Sequence, residues 1–147
     1  MNPTLAGFLT FIRMVMGISS ATLPDNSPTI TDAYNWAIEI VNVAIQQVSG
    51  VAYQKAVYCL AGDYVINWAP DQTGQTYFAD LRKEFNIMQF TAGVVNSSSD
   101  EGTSSSLTVP KAAENFSLSD LQNLKTIYGR QYLAIAQKYG PTIWGMN

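Results

Sequence analysis

The stretch VAYQKAVYCLAGDYVINW, residues 51–68, decides the fold of this chain. Large apolar side chains recur at helical spacing along one side: Tyr53, Val57, Leu60, Tyr64 and Trp68. Small or aliphatic residues occupy much of the rest: Ala52, Ala56, Cys59 and Ile66. A helix that is apolar nearly all round is normally enclosed by other helices. We therefore predict a central helix from about Val51 to Trp68, ended by Pro70-Asp71.

Two helices are predicted before the central one. The first ends at Gly17, and its apolar residues have the helical period: Leu5, Phe8, Leu9, Ile12, Val15 and Met16. A polar connection rich in turn formers follows, SSATLPDNSP at residues 19–28. The second helix is predicted as one continuous element from about Thr31 to Val48. Its polar residues form a single narrow stripe: Asp32, Asn35, Glu39, Asn42 and Gln46.

Two further helical regions are predicted after the central helix. A short amphipathic helix runs from about Tyr77 to Phe85, and the last helical region begins at Ser117 with a capping-box-like start. Thr126 and Gly129 divide that region into a short helix and a longer one. Its apolar stripe indicates core packing or subunit contact: Leu121, Leu124, Tyr128, Tyr132, Ile135 and Tyr139. We expect Tyr132 and Leu133 to be buried against the central helix.

The C-terminal residues are predicted to form a separate tail. Gly140-Pro141 is expected to end the last helix, which leaves 141–147 outside the bundle. A helical bundle cannot easily bury Trp144 in such a tail, and tryptophan often anchors protein interfaces. We therefore predict a partner-binding tail with three interface residues: Ile143, Trp144 and Met146.

A long hairpin-like excursion is predicted before the last helix, in QFTAGVVNSSSDEGTSSSLTVP at residues 89–110. Val94, Val95, Leu107 and Val109 would form a stem of weak strands around a tip that is too polar to bury. Such a serine-rich tip has high chain entropy, so we expect it to become ordered only against a neighbouring subunit or ring. The residues of the excursion predicted to lie at this interface are two of the stem and six of the tip: Val94, Val95, Ser97, Ser98, Ser99, Ser104, Ser105 and Ser106. The alternative is a solvated loop with no function.

These elements predict a mainly α fold. Residues 1–147 would form a single domain, a small bundle of about four to five helices with an extended loop at about 94–109 and the tail at 141–147.

The composition indicates a surface covered by partners. Hydrophobic residues make up 47% of the chain and charged residues only 13%, whereas about 25% charged is typical of soluble domains. The net charge is −3, and the eight basic residues are scattered from Arg13 to Lys138. Nucleic-acid binding through phosphate contacts needs clustered Lys and Arg, so this class is disfavoured.

The chain also lacks the residues that most catalytic and metal chemistry requires. It has no histidine and a single cysteine, Cys59, which lies on an apolar helical face and is expected to be inert. No phosphate-binding loop motif is present. Asp63, Glu39 and Asp32 are the best candidates for unusual environments, although hydrogen-bonded or surface carboxylates are the simpler interpretation. We predict no enzymatic activity, no catalytic residues, no metal site and no cofactor.

The N-terminal stretch resembles a signal peptide only superficially. Residues 1–21 lack a basic first segment, and Arg13 interrupts the apolar run. No run reaches the length of a membrane-spanning helix. We expect synthesis in the cytoplasm and no membrane contact.

Two stretches near the C-terminus carry a family resemblance. LKTIYGRQYLAIAQKYG, residues 124–140, follows GVVNSSSDEGTSSSLTV, residues 93–109. Together they resemble the head–tail connector (adaptor) proteins of tailed bacteriophages, in which a Gly-Val-Ser-rich excursion precedes Thr-x-Tyr-Gly-x-x-Tyr-Leu. That pattern is met here by Thr126, Tyr128, Gly129, Tyr132 and Leu133. AVYCLAGDYVINWAPD, residues 56–71, is similar to the central helix of the family.

The resemblance implies a small helical bundle with a β-like loop that assembles as a homo-oligomeric ring, typically of twelve subunits. Such rings lie beneath the phage portal protein, extend the DNA channel and join the portal to the tail or to a stopper protein. DNA would pass through without sequence-specific binding, since a net-negative lining lets it slide. The implied location is the neck of the virion, after synthesis in the host bacterial cytoplasm.

Two other classes share the small, charge-poor, helical character. One is a tail-completion or other neck protein of a phage. The other is an unrelated cytosolic helical interaction module. Ring formation with a central hole separates the phage classes from the module, and contact with portal rather than tail tube separates the two phage classes.

Overall fold

A computed structural model of the chain describes residues 2–85, 87, 94–95, 107–108 and 125–144. The fold is mainly α, which confirms the predicted class. The described residues form six helices: α1 Leu5–Met14, α2 Pro28–Ile40, α3 Ala44–Val48, α4 Gly50–Trp68, α5 Tyr77–Glu84 and α6 Ile127–Trp144. They also form two short strands, β1 Val94–Val95 and β2 Leu107–Thr108.

Helix α4 is the centre of the structure. It begins where the Ser49 hydroxyl accepts a hydrogen bond from the backbone N–H of Ala52, at 3.2 Å. Every residue from Ala56 to Ile66 is buried, so the middle of the helix is enclosed on all sides. The predicted central helix is therefore confirmed, and it ends at Trp68, two residues before Pro70.

The other five helices all pack on α4, with α6 and α2 contributing the most extensive contacts. Helix α6 runs antiparallel to α4, because Thr126 lies opposite Asp63 and Gln131 lies opposite Cys59. The described part of the last apolar stripe packs on the core, as predicted: Tyr128, Tyr132, Ile135 and Tyr139. Leu133, next to this stripe, is 5% exposed.

Helix α1 lies over α4 through a group of aromatic rings. Phe8 stacks on Tyr58 at a centroid distance of 6.0 Å and on Tyr34 of α2 at 6.1 Å. The Tyr58 hydroxyl accepts a hydrogen bond from the Thr4 N–H at 3.1 Å, just before α1 begins. A Cβ atom on Gly7 would lie 2.1 Å from this hydroxyl, so glycine permits the close approach of α1 to α4.

Two arginines and one aspartate fix the connections. Arg13 donates to the carbonyl oxygens of Ile18 and Leu23, at 2.9 and 2.7 Å, which holds the chain that follows α1. Arg82 of α5 donates to the Ile66 carbonyl oxygen at 2.9 Å, close to the end of α4. The Asp71 carboxylate accepts from the Phe78 N–H at 2.6 Å and so caps the first turn of α5.

The prediction of one continuous helix from Thr31 to Val48 is wrong. The helix begins earlier, at Pro28, and ends at Ile40, because Val41 has an extended backbone with φ −68° and ψ 129°. The Asn42 side chain then accepts from the Ala44 N–H at 2.9 Å, which supports a new start at α3. The break places both Val41 and Ile45 in the core.

The prediction that Gly140-Pro141 ends the last helix is also wrong. Helix α6 continues through both residues to Trp144, so positions 141–144 are helical and not a tail. A proline has a helical φ, but it lacks the backbone N–H and its ring crowds the carbonyl oxygen four residues earlier, so it more often kinks or ends a helix. Here three further helical residues follow Pro141 at the end of α6.

The paired strands agree with part of the predicted excursion. β1 and β2 are antiparallel, with Val94 opposite Thr108 and Val95 opposite Leu107. Other predicted features lie outside the described residues: Val109, the tip serines 97–99 and 104–106, the start at Ser117, and Met146.

The close approach at Gly7 can be tested, because it should reverse the usual stabilising effect of replacing glycine by alanine in a helix. In an exposed helix, Gly→Ala stabilises by about 1 kcal/mol. Here Gly7→Ala should destabilise by about 1–3 kcal/mol, because the new Cβ displaces the Tyr58 hydroxyl. The loss should be smaller in a Tyr58→Phe background, as measured by urea unfolding. Stabilisation by Gly7→Ala in the unchanged background would contradict the packing of α1 on α4.

The contact between α4 and α6 predicts a large cost for Leu133→Ala. Removing the buried side chain should lower the free energy of unfolding by about 2–5 kcal/mol. Gln137→Ala, at an exposed position of the same helix, is the matched control and should change it by less than about 0.5 kcal/mol. Equal thermal midpoints for the two variants would show that α6 does not depend on this contact.

Candidate functional site

Thr126 begins the last helix. Its hydroxyl oxygen accepts a hydrogen bond from the Gly129 N–H at 2.9 Å, and its carbonyl oxygen accepts from the Arg130 N–H at 3.0 Å. This is the arrangement of an N-cap, in which a threonine side chain satisfies a backbone donor of the first turn. Unlike most caps, Thr126 is fully buried.

Asp63 of α4 holds this cap in place. The Thr126 hydroxyl donates its own hydrogen to Asp63 Oδ1. Asn67 Nδ2, one turn along α4, donates to Asp63 Oδ2 at 3.3 Å and to the Asp63 carbonyl oxygen at 2.9 Å. Among the described residues, every buried side-chain nitrogen or oxygen has a hydrogen-bond partner. We call this set of Asp63, Asn67, Thr126 and Gly129 the α4–α6 junction.

Burial raises the pKa of the acidic residue at the junction. Asp63 is only 1% exposed, and this desolvation raises the pKa of its carboxyl to about 7, although the hydrogen bond from Thr126 opposes the rise. Burial, followed by the nearby Asp63, also raises the pKa of Tyr64. Asp63 therefore changes its charge near neutral pH while it remains enclosed.

The residues that carry the family resemblance lie together at this junction. Thr126 caps the helix, and Gly129 supplies the capped N–H. Tyr128 meets Phe11 edge-on at a centroid distance of 5.9 Å. Tyr132 and Leu133 are buried against the core. Their common role in this structure is to begin α6 and to attach it to α4.

The polar groups of the junction are enclosed within the protein. Asp63 is enclosed, and the Cys59 thiol is buried with its pKa raised by desolvation to about 11. The described part of the chain contains no group of three or more residues able to hold a metal ion. An apolar cleft beside α4, α5 and α6 measures about 70 Å³, well below the roughly 300–1,000 Å³ of ordinary ligand pockets.

Large apolar side chains are exposed on the outer side of α2. Trp36 is 51% exposed, Ile40 44% and Val43, just beyond the helix, 62%. Asp32 and Glu39 are exposed on the same helix. Further exposed apolar residues lie elsewhere on the described surface: Met14, Val15, Val48, Val51, Trp68 and Ile127. Single exposed apolar residues are ordinary on protein surfaces, whereas a contiguous patch of them marks an interaction site.

Four of the predicted interface residues lie in described elements, whereas the tip serines and Met146 lie outside the described residues. Val94 and Val95 form β1, and Ile143 and Trp144 lie in the last turn of α6. Thr126 of the last helix lies opposite Asp63, and Gln131 lies opposite Cys59. Extending this antiparallel register along both helices places Tyr139 near Gly50. The last turn of α6 therefore lies beyond the first residue of α4.

Sequence reasoning missed two parts of the site. Asn67 supports Asp63 from the next turn of α4, and the i, i+4 spacing of these two polar residues on an apolar helix was the available signal. No feature of the sequence indicated that Trp36 is exposed, since a tryptophan on an apolar helix is equally typical of a buried core residue.

No helix within the described residues is both long enough and apolar enough to cross a membrane. Comparisons with protein-family models, curated proteins and solved structures find no match to this chain.

The raised pKa of Asp63 predicts a specific pH dependence of stability. Between about pH 4 and pH 7 the folded chain holds a proton at Asp63 that the unfolded chain has lost, so the free energy of unfolding falls as the pH rises. From about pH 5 to pH 8 this loss should amount to about 2–3 kcal/mol.

Asp63→Asn is the matched variant, since its side-chain carbonyl can still accept from Thr126 but cannot ionise. Urea unfolding should show a smaller decrease from pH 5 to pH 8 in Asp63→Asn than in the unchanged protein. The same pH dependence in both proteins would contradict the raised pKa.

Proposed function

We propose that this protein is a head–tail adaptor of a tailed bacteriophage. It is a structural virion protein that assembles as an oligomeric ring, joins the portal to the tail or stopper and extends the DNA channel. It is made in the host cytoplasm and is located in the neck of the virion.

The observation that carries the proposal is the exposed apolar surface of a charge-poor chain. Only 13% of the residues are charged, and Trp36, Ile40 and Val43 are exposed together at the end of α2. Tryptophan is among the residues that contribute most to protein interfaces. Subunits of a ring cover such surfaces with each other, which explains why few charges are needed for solubility.

The family-like pattern at the start of α6 adds support. Thr126, Gly129 and Leu133 each have a distinct structural role: the cap, the capped N–H and the buried contact with α4. These roles are compatible with the resemblance. The absence of enzymatic activity stays a prediction, and turnover by the pure protein would contradict it.

Electron microscopy of the purified protein, alone and mixed with portal protein, tests the proposal. We expect rings with a central hole that stack on the portal. Binding to the tail tube but not to the portal would favour a tail-completion protein instead. A protein that forms no ring and binds neither partner would contradict the proposal.

The last turn of α6 is the part of the chain that we expect to contact the portal. Deleting residues 141–147 leaves the helix intact as far as Gly140, opposite the start of α4, so the thermal midpoint should change by only a few degrees. Attachment to portal should be lost in a sedimentation assay.

Trp144→Ala should weaken attachment in the same direction, whereas Gln137→Ala, at an exposed position of the same helix outside the deleted segment, is the control and should leave attachment unchanged. Normal attachment by the protein that lacks 141–147 would show that the portal contact lies elsewhere.

A further inference from the structure

Asp63 is a buried acid whose side-chain hydrogen-bond donors, within the part of the chain that the structure describes, are both neutral. Its carboxyl oxygens accept from the Thr126 hydroxyl and from Asn67 Nδ2. Neither donor carries a charge, so neither can balance a negative charge on the enclosed carboxyl. A charge on Asp63 is therefore expensive as long as the α4–α6 junction stays closed.

The cations of the surrounding elements are directed at other groups. Arg82 of α5 donates to the carbonyl oxygens of Ile66 and Ala69. Lys125, just before Thr126, donates to the carbonyl oxygen of Ile87 at 3.4 Å, and Arg13 of α1 pairs with Asp25. Other charged side chains of α2, α4 and α6 are exposed: Asp32, Glu39, Lys55, Arg130 and Lys138. Burial and the hydrogen bond from Thr126 are the causes that shift the pKa of Asp63, and no described cation adds to them.

The other titratable groups beside Asp63 stay protonated near neutral pH. Burial raises the pKa of the Cys59 thiol to about 11. Burial, then Asp63 and then Tyr132 raise the pKa of Tyr64 above its ordinary value of about 10. Within this described cluster, the ionisation of Asp63 is therefore the event expected near neutral pH.

The junction lies at the weakest part of the attachment of α6. Gly129, in the first turn, lowers the stability of the helix there, since glycine has a low helix propensity. Tyr128 is only partly buried, beside the apolar cleft. The fully apolar attachment begins one turn later, at Tyr132 and Leu133, which are buried against the core. The first turn can thus separate from α4 while the later contact is kept.

We propose that the α4–α6 junction is a proton-controlled latch, which opens at the first turn of α6 when Asp63 is ionised while the rest of the bundle stays folded. Opening brings water to the carboxylate and to the Thr126 hydroxyl, and so removes the cost of an enclosed charge. This inference goes beyond the proposed function and does not depend on it, since it concerns a conformational change within a single chain.

The closed junction favours the protonated form of Asp63, which gives the sign of the effect. In the closed form burial raises the pKa of the carboxyl to about 7, whereas a solvated aspartate has a pKa of about 4. Between these two values each increase of one pH unit should raise the equilibrium constant for opening about tenfold. Opening should therefore become about a hundredfold more frequent from pH 5 to pH 7, and should change little above about pH 8.

Amide hydrogen exchange of the full chain, followed by NMR, tests the latch. The N–H groups of Gly129 and Arg130 donate to the hydroxyl and carbonyl oxygens of Thr126, so opening exposes both. Dividing each rate by the rate in an unstructured peptide gives the opening constant at each pH. Leu60, in the middle of α4, reports global unfolding. We expect the two junction amides to open at least about tenfold more often than Leu60, with the hundredfold rise from pH 5 to pH 7.

Two variants assign the pH dependence to Asp63. In Asp63→Asn the side-chain carbonyl can still accept from Thr126 but cannot ionise, so the opening constant should not change from pH 5 to pH 7. Asp32→Asn removes an exposed carboxyl on α2 and is the matched control, which should keep the hundredfold rise. Thermal midpoints verify that both variants are folded. The same rise in Asp63→Asn as in the unchanged protein would overturn the proposal.

The unchanged protein supplies a second readout, which decides the matter even if Asp63→Asn does not fold. The amide chemical shift of Gly129 should titrate with a midpoint near pH 7. A midpoint near pH 4 would show that Asp63 ionises inside the closed junction and would overturn the proposal. Junction amides that open no more often than Leu60 would also overturn it, because the junction would then open only with global unfolding.

Discussion

The hydrogen bond from the Thr126 hydroxyl to the Asp63 carboxylate is the constraint on which the rest of the structure depends. Because Asp63 is buried at the centre of α4, the start of α6 can lie only where Thr126 reaches it. The antiparallel register of the two helices follows, and with it the burial of Leu133 and the position of the last helical turn. A buried polar contact of this kind favours one register over others, since any shift leaves a polar group without a partner.

Because the middle of α4 is buried, the protein surface is formed by the outward faces of the helices around it. Five helices surround it, so each presents one face inward and one outward. In α2 and α6 the outward faces carry the exposed charges, and on α2 also Trp36. The exposed apolar surface on which the proposed function rests is thus a consequence of the same central helix that organises the core.

The sequence was sufficient to predict α4 and the burial of Tyr132 and Leu133, because a long apolar helix and a regular stripe depend on local periodicity. It was insufficient for the break at Val41, where no glycine or proline marks the interruption and burial of Val41 and Ile45 decides the conformation. It also failed at Pro141, whose ordinary role as a helix breaker does not hold near the end of α6. Asp63 was one of three candidates for an unusual environment, and a hydrogen-bonded or surface carboxylate was the simpler interpretation. Its partner could not be predicted, because it depends on the contact between two distant segments.

The coupling free energy between Asp63 and Thr126 tests the central claim most directly. It is obtained from the unfolding free energies of Asp63→Ala, Thr126→Val, the double variant and the unchanged protein at one pH. If the hydrogen bond determines how α6 attaches to α4, the two substitutions should be non-additive by about 1 kcal/mol or more. Additivity within about 0.3 kcal/mol would show that the two residues act independently and that the position of α6 has another cause.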